Sequence, residues 1–292
     1  MQAIDGHTRL CGLIGNPIGH TISPVIHNTL AQREGRNLVY VPFHVEEGRL
    51  RKAIEGAFAL DIHGLNVTVP YKSEVIGCLA EMDGMAGKIG AVNTLVRTAN
   101  GYKGYNTDAT GLYRAMRSEG ICIEGEEILI LGAGGAARAA AFLCVSKGAA
   151  RIYIMNRTKE KAQKVAEEIN HVFGKECAVP LRLEDYGKLQ AGKKYLAIQA
   201  TSVGLYPDAD AAVIEDGAFY EKIHTGFDLI YRPSCTRFMK LVRNAGGKAC
   251  HGLKMLLYQG VEAYELWNDV SVSEEDARMV YDKMKEAMGI EE

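Results

Sequence analysis

Residues 128–143, ILILGAGGAARAAAFL, decide the fold. The apolar run Ile128 to Leu131 reads as a strand buried on both faces. Gly132-Ala133-Gly134-Gly135-Ala136-Ala137 follows as a glycine turn, and the alanine-rich run beyond it favours helix. Three small positions have separate physical jobs. Gly132 permits a sharp turn, Gly134 lets backbone approach a pyrophosphate, and Ala137 lets the helix pack closely on the strand. The helix start then offers free N–H groups and a positive dipole end to the phosphates. A glycine turn alone says little. Here strand, turn, helix and a second strand, RIYIMN (151–156), come in the order of a dinucleotide-binding βαβ unit.

The end of that second strand chooses the cofactor. A reader of NAD places Asp or Glu there to bond the ribose 2′-hydroxyl. This chain has Asn156-Arg157-Thr158, with Lys161 one helical turn further. A carboxylate would repel a 2′-phosphate, whereas a guanidinium fork and a hydroxyl bind it. The expected cofactor is therefore NADP(H).

Working outward, helix 158–170 and strands at 195–201 and 226–231 continue this Rossmann-type series. The N-terminal third alternates as well. Strand 10–15 precedes a helix with Ser23 as N-cap and Pro24 at its first position. Strand 38–43, helix 47–58, strand 62–69 and a helix from Pro70 follow. Asn100-Gly101 between extended runs signals a hairpin, and Asp108 is the expected cap of a helix running to about Glu119. From His251 the chain reads as helical through Trp267, then again from Ser273, which with Asp276 resembles a capping box. The expectation is an α/β protein of two domains with a cleft between them. Residues 1–108 and 251–292 form an αβα substrate-binding domain with a mainly parallel sheet, and 109–250 form a Rossmann NADP-binding domain.

Composition narrows the partners. The formal net charge is -2, so no broad basic field draws nucleic acid or an anionic membrane. The N-terminal MQAIDGHTRL carries Asp5 and no apolar core of a signal peptide, and no run is long enough to span a bilayer. Seven scattered cysteines, with no CxxC or HExxH spacing, point to a reducing, cytoplasmic setting, buried inert thiols and no metal.

Three N-terminal segments concentrate polar residues beside turns. GNPIGHTISP places the hydroxyls of Thr21 and Ser23 at a helix start, where a carboxylate is favoured. NVTVPYK puts Asn66, Thr68 and Lys72 at the carboxyl end of a strand, the edge where α/β sheets bind ligands. GAVNT and GYNTD add Asn93 and Asp108.

Together these segments resemble the shikimate dehydrogenase family. The matching runs, in the family's order, are GNPIGHTISPVIHN, NVTVPYK, GAVNT, GYNTD, GAGGAARA, NRT, ATSVGL, FDLIYRPSCT and GLKMLLYQG, spanning about Gly12 to Trp267. The resemblance implies NADP-linked, reversible reduction of 3-dehydroshikimate to shikimate in aromatic amino-acid synthesis. It implies that Thr21 and Ser23 hold the substrate carboxylate, and that Thr68, Asn93, Asp108 and Gln259 surround the ring hydroxyls. Lys72 and Asp108 match the catalytic pair. Lys72 is the expected acid in the reduction direction, and Asp108 is the other candidate for the proton's carrier. Ala133, Gly135, Ala136, Thr201, Gly252 and Met255 join the cofactor site, although helical spacing alone assigns Met255 and Trp267 to the core. Family members occur as monomers and homodimers.

The chain departs from the family's usual residues at Thr21 (commonly Ser), Tyr71 (His), Gln199 (Asn), Leu205 (Met) and Asn268-Asp269 (Thr-Gly). These departures bear on the substrate more than on the chemistry, and leave quinate beside shikimate as a second substrate. Arg157 weighs against the NAD-linked catabolic relatives. Retention of Lys72, Asp108, Asn93 and Gln259 weighs against a non-catalytic NADP or metabolite sensor on the same scaffold.

Overall fold

In the computed structural model, which describes residues 4–290, the chain forms two compact units. One comprises Met1–Gly111 with Leu257–Glu292, the other Leu112–Leu256. The first unit opens with β1 (Arg9–Gly15), α1 (Ser23–Arg33), β2 (Leu38–His44), α2 (Leu50–Ala59) and β3 (Gly64–Val67). It continues with β4 (Glu81–Met82), α3 (Gly84–Ile89), β5 (Thr94–Thr98) and β6 (Gly101–Tyr105). The sheet order is β2-β1-β3-β5-β6-β4. β1 runs parallel to β2 and β3, whereas β5 and β6 form an antiparallel hairpin. The hairpin turns at Ala99 and Asn100, and Gly101 (φ +141°) pairs with Thr98 instead of sitting in the loop.

Several local expectations are corrected by hydrogen bonds that divert the backbone. Ser23 does not cap α1: Ile22 is the N-cap, and the Thr21 hydroxyl accepts from the Ser23 amide at 3.2 Å. No α-helix starts at Pro70. The chain turns there and gives only a 3-10 turn, Glu74–Cys78, because the Lys72 carbonyl accepts from the Val92 amide at 2.7 Å. Asp108 does not cap the next helix, α4 (Thr107–Ser118), but lies within its first turn; the Asn106 carboxamide accepts from the Ala109 amide.

The second unit is a doubly wound parallel sheet. Its strands are β7 (Glu127–Leu131), β8 (Arg151–Asn156), β9 (Ala178–Arg182), β10 (Tyr195–Gln199), β11 (Ile223–Asp228) and β12 (Lys248–Cys250). Their spatial order is β12-β11-β10-β7-β8-β9. Read from β9, this is the 3-2-1-4-5-6 order of dinucleotide-binding sheets. Its helices are α5 (Gly135–Ser146), α6 (Lys159–Phe173), α7 (Gly217–Tyr220) and α8 (Arg237–Asn244). β10 stops at Gln199, whose side-chain oxygen accepts from the Thr201 amide at 2.6 Å. β11 ends three residues before the expected 231, because the Asp228 carboxylate accepts from the Ile230 amide and the Thr236 hydroxyl.

α9 (Leu253–Asn268) and α10 (Glu274–Met288) complete the described chain. α9 is bolted to the first unit's sheet by Trp267. Its indole N–H donates to the Leu95 carbonyl at 2.9 Å, and its ring lies over Gly64, where a Cβ would fall 2.2 Å from the indole nitrogen. The core assignment of Trp267 thus holds, while Met255 is only half-buried. Ser273 caps α10, but Asp276 bonds the Ser273 hydroxyl instead of its backbone. Among the cysteines Cys122 is exposed, contrary to expectation, while Cys11, Cys144 and Cys177 are buried. No helix among the described residues is long and apolar enough to cross a membrane.

Candidate active site

The expected catalytic pair lies in the first unit. Lys72 stands in the turn after β3, and Asp108 in the first turn of α4, 36 residues later. Their side chains meet: Lys72 Nζ donates to Asp108 Oδ2 at 2.6 Å. The pair is partly buried, with side-chain exposures of 33% and 18%. Ion pairs open to water contribute only ~0–1 kcal/mol, so stability is a weak reason for this one. Its chemistry is a better reason. An ammonium held by a carboxylate is a positioned proton donor with positive charge beside it.

A buried polar network fixes the surroundings. Asn93 accepts from the Thr107 amide at 2.7 Å and donates to the Thr107 hydroxyl at 3.1 Å, so its carboxamide is locked one residue from Asp108. Thr94 bonds Asn93 and Thr107, and Asn66 donates to both Thr94 Oγ1 and the Asn93 carbonyl. Tyr40 donates from its phenol to Asn66 Oδ1 at 2.8 Å. Burial raises the Tyr40 phenol well above its ordinary pKa, an effect eased by the nearby Ser23 hydroxyl. Thr107, Thr94 and Tyr40 are additions to the expected site residues. Thr94 and Thr107 lie inside the quoted GAVNT and GYNTD runs, but nothing local in the sequence marks Tyr40.

Thr21 and Ser23 also come together, with the Thr21 hydroxyl donating to Ser23 Oγ at 3.1 Å. Their two hydroxyls sit at the start of α1, where dipole and N–H groups favour an anion. Thr68 packs its methyl against Gly15 at the end of β1, where a Cβ would come within 2.3 Å. Tyr71 belongs to the core; its phenol is buried and donates to the Val45 carbonyl at 2.7 Å. Gln259, half-buried on α9, lies against Gly111 of α4.

The cofactor-type residues lie in the second unit. Gly132 has φ +117°, and a Cβ there would be 3.0 Å from Thr201 Cγ2 and 3.1 Å from the Ala200 carbonyl oxygen. The glycine turn therefore presses against the loop after β10, at the switch point between β7 and β10. Gly134 is the N-cap of α5, and around both it and Gly135 a Cβ would meet open space. Ala137 is buried in the close helix–strand contact. That room, beside a helix N-terminus, fits a pyrophosphate. At the end of β8, Arg157, Thr158 and Lys161 are exposed, and Asn156 donates to the Thr158 carbonyl at 2.9 Å. Gly252, before α9, is a close-approach point: a Cβ would lie 2.2 Å from the Leu229 carbonyl oxygen. Met255 is the third residue of that helix.

A 3-2-1-4-5-6 sheet with this glycine turn, joined in one chain to a unit bearing a lysine–carboxylate pair, defines a two-unit α/β protein of the dinucleotide-binding class. Three family models match along it: "Shikimate dehydrogenase substrate binding domain" over 13–95, "Shikimate / quinate 5-dehydrogenase" over 115–186, and "Shikimate 5'-dehydrogenase C-terminal domain" over 252–280. A relative from Methanothermobacter thermautotrophicus, named shikimate dehydrogenase (NADP(+)), is 41% identical over 90% of this chain and 92% of its own. A shikimate dehydrogenase solved with NADP+ superposes with a TM-score of 0.87 at 37% identity, covering 97% of each chain. The Thermus thermophilus enzyme, solved with NADP(H) and shikimate, gives a TM-score of 0.82 at 31% identity, covering 94% of this chain and 99% of its own. The chain belongs to the shikimate dehydrogenase family.

Proposed function

We propose that this chain is an NADP-dependent shikimate dehydrogenase, interconverting 3-dehydroshikimate and shikimate. The observation that carries the reading is the 2.6 Å contact between Lys72 Nζ and Asp108 Oδ2. In this reading residues 1–108 and 251–292 bind substrate and 109–250 bind NADP. The glycine turn with Ala133, Gly135 and Ala136 holds the pyrophosphate. Asn156, Arg157, Thr158 and Lys161 take the 2′-phosphate end, and Thr201, Gly252 and Met255 lie towards the nicotinamide. NADPH supplies the hydride.

Thr21 and Ser23 receive the substrate carboxylate, while Thr68, Asn93 and Gln259 orient the ring hydroxyls. Hydride arrival at the ketone carbon leaves negative charge on its oxygen. Lys72 stabilises that charge and donates a proton to it, and Asp108 holds the ammonium in place and balances its charge. In the oxidation direction the neutral amine takes the proton back. Free cysteines suit a reducing, cytoplasmic setting, in which the protein acts on small molecules as a monomer or homodimer.

The test is the formation of reduced nicotinamide from shikimate and from quinate, read as NADPH with NADP and as NADH with NAD. Rapid turnover with shikimate and NADP is expected. Absence of turnover with shikimate under either cofactor overturns the reading, and faster turnover with quinate and NAD replaces it with a quinate dehydrogenase.

A further inference from the structure

Glycine is second only to proline in disfavouring a helix interior, yet Gly111 and Gly260 sit inside α4 and α9. Gly111 is buried one turn after Asp108, on the same face of α4. A methyl group there would lie 2.6 Å from the backbone nitrogen of Gln259, 2.8 Å from its Cα and 2.8 Å from its Cβ. Two of these atoms are main chain, so no change of rotamer relieves the clash.

Gly260, the next residue along α9, meets α1 instead. A Cβ there would lie 3.0 Å and 3.1 Å from the side-chain carbons of Ile26, and 3.7 Å from His27 Nε2. At 259–260, α9 is therefore pinched between two helices whose first turns carry Asp108 and Ser23. Its far end is fixed by Trp267 on Leu95. The depth of Gln259 against Gly111 is set by one contact that only glycine permits and by a second, at Gly260, that an added methyl group would crowd.

We propose that Gly111 and Gly260 are positioning residues for Gln259: they let the backbone of α9 approach α4 and α1 closely enough for the Gln259 carboxamide to reach the substrate's ring hydroxyls. This inference rests on the functional reading above. A displacement of about 1 Å at such a contact is enough to cost on the order of 100-fold. The ranking of the two glycines follows from what each would strike, since Ile26 is a side chain able to give way and the Gln259 main chain is not.

The experiment compares Gly111→Ala and Gly260→Ala, each alone and combined with Gln259→Ala. The readouts are KM and kcat for shikimate, KM for NADP, and the rise in Tm on adding shikimate. Gly111→Ala is expected to raise the shikimate KM about 10- to 100-fold and Gly260→Ala a few-fold, with the NADP KM unchanged in both. In the Gln259→Ala background either glycine substitution should add less than about twofold, because the contact through which it acts is gone. Should Gly111→Ala fail to fold, the Gly260→Ala pair carries the same comparison. An unmoved shikimate KM, or the same fold-change with Gln259 already removed, overturns the inference while the activity stands. A wild-type protein inert towards shikimate overturns both.

Discussion

The two units make their sites from different materials. In the first, the proposed site is made of side chains: an ammonium and a carboxylate bonded to each other, two clustered hydroxyls, and a carboxamide held by further buried side chains. In the second, much of it rests on bare backbone, where Gly132 turns at a φ few residues adopt and Gly134 leaves open space before α5. A backbone site needs only the sheet order and small residues at a few positions. A side-chain site needs a supporting shell, here the chain of bonds from Tyr40 through Asn66 and Thr94 to Asn93 and Thr107. Sequence motifs therefore announce the second kind of site sooner, and substitutions should damage the first kind more.

Lys72→Ala is the strongest test of that contrast. Losing a positioned proton donor should lower kcat by about 10²–10⁴-fold, while NADP affinity, measured by fluorescence titration, stays near wild type. A variant turning over at the wild-type rate would remove Lys72 from the chemistry. It would also leave the first unit with no evident reason for its ion pair.

Arg157→Asp addresses the second unit. A charge-assisted bond to phosphate contributes ~1.5–3 kcal/mol, so the ratio of kcat/KM for NADP over NAD should fall about 10- to 100-fold, with shikimate KM little changed. If the ratio holds, the exposed guanidinium is only a solvated strand end. Discrimination then lies with Lys161 and Thr158.

The same contrast governs what was legible in the sequence. The βαβ unit, the glycine turn and the missing carboxylate after β8 could be read because strand periodicity and turn chemistry are local. Lys72 and Asp108 were legible as types at suspicious places, and the family resemblance paired them. Their contact spans 36 residues and depends on the hairpin between them. Tyr40 was invisible, since a tyrosine in an alternating strand looks like any core aromatic until Asn66 is seen beside its phenol. Three of the misreadings share one cause, a polar side chain that captured a backbone group, whereas at Pro70 the Lys72 carbonyl was taken by the Val92 amide. Asn106 took the cap expected of Asp108, Thr21 took the amide of Ser23, and Asp228 ended β11 early. Gly111 gave no signal, because its meaning lies in a distant helix, α9.

The smallest expected effects concern stability against pH, and here the units should differ in sign. In the first, His27 is fully buried against Tyr40 and Trp267, and burial lowers its pKa from 6.5 to about 3. Between those values the unfolded chain binds a proton that the folded one excludes, so this residue makes stability fall as pH drops from 6.5 towards 3. In the second, burial raises the Asp228 carboxyl from 3.8 to about 6, against the lowering influence of its bonds from Thr236 and the Ile230 amide. There the folded state holds the extra proton, so stability from this residue is full below 3.8 and declines as pH rises through 6. Urea unfolding of His27→Leu and Asp228→Asn across this range checks both, each variant being compared with wild type in slope, since the absolute stability also changes. One such group contributes at most about 1.4 kcal/mol per pH unit. His27→Leu should flatten the acid-side loss, and Asp228→Asn should remove an opposing decline between pH 3.8 and 6. Equal slopes in the wild type and His27→Leu would mean that the imidazole is hydrated and titrates near its ordinary value, and the stacked core around it would have to be looser than its 4.2 Å ring separation from Tyr40 indicates.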